Sequence, residues 1–157
     1  MMTFEELLGR DGKLIYRIRG RSMRPMLRQD RDLVIIETPA SRLKPMDVAL
    51  YKCGGNYVLH RVIRVKDGFY LIRGDNTYVL ETVPDSAVIG VLTGFQRSGR
   101  QYSVKDFPYR FYARFWNTLY PLRFLCFRFR RAAVHVAWEL GILPMIKKVL
   151  RRESHAD

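Results

Sequence analysis

A succession of short apolar segments separated by turn residues is the feature that most limits what this chain can fold into. Strand-like segments occur at residues 14–19, 32–37, 47–52, 57–65, 69–73 and 88–92. Turn sequences stand between them, such as Gly-Gly-Asn at 54–56 and Lys-Asp-Gly at 66–68, and these are typical of hairpins. Strands of this length and spacing predict a mainly β fold, either a small β-barrel or a coiled sheet.

Charge divides the chain into two parts. The net charge is +13, of which residues 1–96 contribute +4 and residues 97–157 contribute +9. We therefore predict a β domain over residues 1–96 and a basic, aromatic, mostly helical C-terminal extension over residues 97–157. Thr3 and Glu6 match a capping box, which predicts a short helix ahead of the first strand.

A candidate nucleophile, Ser22, follows the first predicted strand within the sequence Gly-Arg-Ser-Met-Arg-Pro at 20–25. A candidate base, His60, interrupts the apolar strand at 57–65, and two acids, Asp75 and Glu81, come after it. A serine hydroxyl becomes a nucleophile only when a base takes its proton, and an acid can orient that base. These four residues are therefore the candidate catalytic residues.

Three motifs carry a family resemblance: Ser-Met-x-Pro from Ser22, His-Arg-Val-Ile from His60, and Gly-Asp-Asn from Gly74. In this order they resemble the signal peptidase and LexA-like serine peptidase superfamily, over residues 14–95. The match is best to the Ser-His type, since the bacterial Ser-Lys branch carries lysine where His60 stands. The resemblance implies a small coiled-sheet peptidase domain and a serine endopeptidase that processes a leader or precursor peptide. It favours Glu81 as the residue that orients His60 and Asp75 as support for the serine region, with either acid open as the partner.

Each of these residues also has a purely structural interpretation. Ser22 could be a turn serine, His60 a half-buried strand residue, Asp75 a turn residue and Glu81 a surface carboxylate. At the level of the whole protein, the alternative is a non-catalytic peptide- or membrane-binding module that keeps the fold. A self-cleaving repressor is disfavoured, because only 21 residues precede Ser22, too few for a helix-turn-helix domain.

Relatives with this fold bind an extended peptide beside a strand edge, and the resemblance implies the same here. The candidates for binding the substrate are Met23, Arg21 and Arg19. Arg17, Arg19 and Arg21 alternate, so they either form a solvated strand edge or receive an acidic peptide.

No metal or other cofactor is expected. The three histidines are scattered along the chain, and Cys53 and Cys126 are far apart. The cysteines are therefore predicted to be free thiols.

The basic extension interleaves arginines with aromatic residues over residues 109–152. This composition suits an anionic membrane interface, although the segment could instead pack on the β domain or bind a partner protein. Single-stranded nucleic acid ranks last among the partners, because no recognised binding motif is present. Residues 132–140 are predicted to be helical, Gly141 and Pro144 to end that helix, and residues 146–152 to end in a basic turn.

The N-terminal sequence MMTFEELL carries acids where a secretory signal carries basic residues. No apolar run approaches the 18 residues expected of a membrane-spanning helix. We therefore expect neither a signal peptide nor a transmembrane segment, and a location in the cytoplasm or peripherally on the inner face of the cell membrane.

Overall fold

The computed structural model describes residues 2–140. An eight-stranded antiparallel β-sheet is the main structure of the described chain, and helices follow it towards the C-terminus, so the predicted mainly β fold class is confirmed at this level. In chain order the elements are α1 (Phe4–Asp11), β1 (Lys13–Arg17), β2 (Asp32–Glu37), β3 (Val48–Cys53), β4 (Asn56–Lys66), β5 (Phe69–Arg73), β6 (Glu81–Pro84), β7 (Val88–Arg97), β8 (Arg100–Ser103), α2 (Phe107–Thr118) and α3 (Tyr120–Glu139). The predicted strands at 32–37 and 69–73 have the predicted bounds, and the Thr3–Glu6 capping box is formed at the start of α1.

The eight strands form one sheet with the order β1-β2-β7-β3-β4-β5-β6, and β8 pairs with β7. β7 lies between β2 and β3, so the chain closes back on the middle of the sheet. Register shifts interrupt the β2–β7, β3–β7 and β4–β5 pairings. Each such bulge bends its strand and increases the local twist of the sheet.

Strand β3 is buried on both faces and separates two apolar clusters. Val48 and Leu50 belong to the larger cluster, whereas Ala49 and Tyr51 belong to the smaller one. Successive residues of a strand point to opposite faces, so one short strand contributes to both cores. β4 does the same, with Leu59 in the larger cluster and Val62 in the smaller.

Two strands were not predicted from the sequence. One is β6 (Glu81–Pro84), in which Glu81 pairs with Ile72 of β5. The sequence Glu-Thr-Val-Pro has no apolar alternation, so the neighbouring strand decides its structure. β8 likewise forms by pairing with the end of β7, and the boundary predicted at residue 96 falls inside β7.

The chain forms two compact units, Met1–Asn117 and Thr118–Asp157. The first unit includes nearly all of α2, whose Tyr109 and Ala113 are buried in the larger cluster. The second includes α3, so the predicted helix at 132–140 is the last part of a longer helix. The predicted break at Gly141 and Pro144 and the predicted turn at 146–152 lie outside the described residues.

None of the helices in the part of the chain described here is both long and apolar enough to span a bilayer. Cys53 and Cys126 are exposed free thiols, as predicted.

Candidate active site

Ser22 stands in a turn that β1 delivers and that buried side chains anchor. Met23 and Leu27 point into the larger core cluster, where they are 3% and 1% exposed. Gly20 has a φ of +88°, a left-handed conformation that residues with a side chain rarely adopt, and its N–H donates to Gln29 Oε1 over 2.8 Å. The turn that carries Ser22 is therefore fixed by its buried side chains and by the hydrogen bond at Gly20.

The Gly74-Asp75-Asn76 segment holds the serine turn from the other side. The Asn76 backbone N–H donates to the Ser22 carbonyl oxygen over 2.7 Å, and Asn76 Nδ2 donates to the Arg21 carbonyl oxygen over 3.3 Å. A β-carbon at Gly74 would lie 2.8 Å from the Ser22 carbonyl oxygen and 3.0 Å from Ser22 Cβ. Glycine is required here because the two segments touch through their backbones.

His60 reaches the same point from β4. The same β-carbon at Gly74 would lie 3.1 Å from His60 Cδ2, so Ser22 Cβ and His60 Cδ2 are no more than about 6 Å apart. Cδ2 is bonded to Nε2, and the imidazole approaches the serine turn with the side of the ring that carries Cδ2. His60 pairs across the sheet with Ala49 and is 6% exposed.

The opposite edge of the imidazole is held by a carboxylate and a phenol. Glu81 Oε1 lies 3.1 Å from His60 Nδ1. The Tyr51 hydroxyl lies 3.1 Å from the same Nδ1 and donates to Glu81 Oε2 over 2.5 Å. Because the tyrosine proton goes to the carboxylate, Nδ1 is assigned as the N–H donor, which leaves the lone pair on Nε2.

Burial of the His60 and Tyr51 side chains determines their protonation at neutral pH. Burial lowers the pKa of His60 below its ordinary value, and the nearby Glu81 charge opposes that shift in part. Burial, together with the bond to Glu81, raises the pKa of the Tyr51 hydroxyl. At neutral pH the imidazole is therefore neutral and able to accept a proton, and the tyrosine keeps its proton.

Asp75 binds partners on β4 and α2. Its two carboxylate oxygens accept from Arg61 Nε and Nη2, each over 2.7 Å, in a pair whose side chains are 0% and 1% exposed. Tyr112 of α2 donates to the same carboxylate over 3.2 Å, and Trp116 Nε1 donates to the Asp75 carbonyl oxygen over 2.8 Å. Asp75 therefore ties the segment that grips the serine turn to β4 and to α2.

A second ion cluster fixes the far end of the serine turn. Asp32, fully buried at the start of β2, accepts from Arg31 and from Arg97 over 2.8–3.1 Å. Arg97 and Arg31 also donate to the Met26 carbonyl oxygen, over 2.7 and 3.1 Å. These bonds join the turn to the neighbouring strands.

A groove of about 1070 Å³ opens beside Ser22. It runs between β1, at the edge of the sheet, and the start of β4. Two of the predicted substrate-binding residues, Arg19 and Met23, line it; the exposed third, Arg21, is not among the described residues that do. Arg17 lines it as well, and so does Asp30, whose carboxylate is paired with Arg28 at 2.7 Å. The groove wall therefore carries a positive excess.

The structure brings Ser22, His60 and Glu81 together, whereas the Asp75 carboxylate binds Arg61. Sequence reasoning missed Tyr51, Arg61 and the buried face of α2. Arg61 could have been found, since it follows His60 directly in one of the family-like motifs. Tyr51 gave no signal, because a tyrosine in an apolar strand looks like an ordinary core residue.

Within residues 2–140 no cluster of three or more histidine, cysteine or carboxylate side chains is placed to hold a metal. No family model matches the sequence, and no curated protein matches it either.

Proposed function

We propose that this protein is a serine endopeptidase of the Ser-His signal peptidase type, with the coiled-sheet peptidase fold of that superfamily. The observation that carries the proposal is the orientation of His60. Its Nδ1 is bound by Glu81 and Tyr51, and its Cδ2, the ring atom bonded to Nε2, lies beside the turn that carries Ser22. A base that is neutral, oriented by an acid and beside a serine is the arrangement that acyl transfer requires.

In the proposed reaction His60 Nε2 takes the proton of the Ser22 hydroxyl while Oγ attacks the carbonyl carbon of the scissile peptide. The imidazolium that forms is stabilised by Glu81 across the 3.1 Å contact. It then donates the proton to the leaving amine, and the C–N bond breaks to give an ester on Ser22. Water, activated by His60 in the same way, hydrolyses the ester and restores the serine. Backbone N–H groups of the Ser22 turn would bind the oxyanion.

The proposed substrate is an extended segment of a leader or precursor peptide. β1 pairs with β2 on one side, and its residues line the groove on the other, so a peptide strand could add to that edge with its carbonyl near Ser22. Arg17 and Arg19 would then favour acidic side chains on the substrate, and Met23 would contribute an apolar surface near the bond that is cut.

The test is a digest of a diverse peptide mixture, analysed by mass spectrometry. The wild type should produce cuts that are absent with Ser22→Ala and present with Ser41→Ala, a matched change at an exposed serine away from the groove. Cuts that persist in Ser22→Ala would contradict the proposal. Peptides that bind the groove but remain uncut with every protein would favour the non-catalytic binding module instead.

A further inference from the structure

Helix α3 carries an exposed apolar stripe that runs along most of its length. Its members follow one another at intervals of three or four residues, the spacing that keeps side chains on one face of a helix. All are exposed, with Leu122, Leu125, Phe129 and Val136 each at least 50% exposed. The stripe consists of Leu122, Leu125, Phe129, Ala133 and Val136.

Arginines border this stripe on both sides. At about 100° per residue, Arg128 falls beside one margin and Arg130 beside the other. The helix contains four arginines, and Glu139 is its one carboxylate. An apolar face with a strongly basic border is the composition of a helix that lies in the interface of an anionic bilayer.

Helix α2 also combines exposed apolar rings with arginines. Phe107, Phe111 and Phe115 are 78%, 59% and 51% exposed and stack in sequence, with ring centroids 6.2 and 5.7 Å apart. Arg110 and Arg114 lie on the same helix, which has no acidic residue. A cluster of apolar rings exposed to water marks an interaction surface, and a helix that lies in a membrane interface buries such rings on its apolar face.

The arginines beside the stripe decide which binding partner could cover it. A second copy of α3 would place its own arginines against those of the first, and like charges oppose that pairing. Residues 141–157 carry four basic and two acidic side chains, so they do not complement the stripe border either. An anionic lipid surface satisfies both the apolar face and the basic border.

We propose that α3 docks the protein on anionic membranes, with the apolar stripe inserted among the acyl chains and the bordering arginines on the headgroups. This inference is independent of the peptidase proposal, because it uses no residue of the candidate active site. It also differs from membrane spanning, since the helix would lie in the plane of the surface.

The test is flotation of the full chain with vesicles of phosphatidylcholine alone or mixed with phosphatidylglycerol. The wild type should bind the anionic vesicles at least tenfold better than the neutral ones, and binding should weaken with added salt. Leu125→Ser combined with Phe129→Ser should lower binding at least tenfold. Val134→Ser, a matched change at an exposed apolar residue away from the stripe, should alter it less than twofold. Arg128→Gln and Arg130→Gln should each cost roughly fivefold.

Equal binding to neutral and anionic vesicles, or equal loss in the stripe and control variants, would overturn the proposal. The absence of binding to either kind of vesicle would also overturn it. In that case, sedimentation that shows a dimer abolished by the stripe variant would assign the stripe to a second copy, and salt-sensitive binding of single-stranded DNA would assign the arginines to nucleic acid. Since every substituted side chain is exposed, circular dichroism should show unchanged folding in all variants.

Discussion

Replacing Glu81 by glutamine tests the catalytic geometry most sharply, because the side chain keeps its shape, loses its charge and exchanges one acceptor oxygen for an NH₂ donor. In the wild type Oε1 lies 3.1 Å from His60 Nδ1, and Tyr51 donates to Oε2. The glutamine amide can present its NH₂ group to Nδ1 instead. That contact favours the tautomer with the proton on Nε2, which is unable to accept the proton of Ser22.

The size of the effect follows from the exposure of the pair. Opposite charges about 4 Å apart attract by about 1 kcal/mol in water and by about 4 kcal/mol at an effective dielectric constant of 20. The Glu81 side chain is 33% exposed and that of His60 is 8% exposed, so an intermediate value of about 2 kcal/mol applies. Losing it lowers kcat roughly 30-fold, and the tautomer change extends the loss toward about 10³-fold.

The assay is the pH dependence of kcat/KM on a peptide that the wild type cleaves. Activity requires neutral His60, so it falls as the pH drops through the pKa of that residue. Burial lowers this pKa and Glu81 raises it. Without the carboxylate the pKa falls further, so the acid limb of the profile should move to lower pH in Glu81→Gln while the plateau drops.

Glu37→Gln is the matched control, since Glu37 is a partly exposed strand residue that lies 3.9 Å from Lys13. It should leave both the plateau and the acid limb within twofold of the wild type. The reasoning is refuted if Glu81→Gln behaves like this control, or if its acid limb moves to higher pH.

Three further substitutions probe the surroundings of the imidazole. Tyr51→Phe should lower kcat about tenfold and the free energy of unfolding by about 1–2 kcal/mol, because it removes a donor to a carboxylate; peptide kinetics and urea unfolding measure the two effects. Gly74→Ala should destabilise the protein by about 1–3 kcal/mol and lower kcat at least tenfold, since its β-carbon would lie 2.8 Å from the Ser22 carbonyl oxygen; a variant with wild-type kcat would disprove the close contact. Asp75→Asn should cost about 3 kcal/mol or more in urea unfolding, because it leaves the charge of Arg61 buried without its partner, and an unchanged urea midpoint would contradict that role.

The strands could be predicted because their signal is local. In β2 the residues Val34, Ile35 and Ile36 are nearly fully buried, and an apolar run of this length between turns is visible in the sequence itself. β6 carries no such signal. Its sequence becomes a strand only because the edge of β5 is available to pair with it, and that partner is known only once the sheet has formed.

The candidate site also combines residues that the sequence indicates with residues that only the folded structure shows. Ser22 and His60 stand out by motif, and Glu81 could be named as a candidate from the resemblance. The contact from Tyr51 to Glu81 joins residues 30 positions apart in the chain, and no pattern of sequence spacing predicts it. It depends on β3 and β6 presenting both side chains to one imidazole.

Helix α2 was difficult for a different physical reason. It has apolar residues on two faces: Tyr109, Ala113 and Trp116 on one, and Phe111 and Phe115 on the other. Periodicity alone predicts that such a helix forms but leaves open which face is buried. The choice is made by partners on the sheet, since Tyr109 packs in the larger core cluster and Trp116 donates to the Asp75 carbonyl oxygen.

Covalent capture of Ser22 tests most directly whether this serine is a nucleophile activated by His60. A peptidyl phosphonate ester, built on a sequence that the wild type cleaves, would react by displacement of its leaving group and add a fixed mass to the attacking residue. We predict one adduct on Ser22 in the wild type, none with Ser22→Ala, and capture at least 100-fold slower with His60→Ala. An adduct on another residue, or equal capture rates with and without His60, would contradict it.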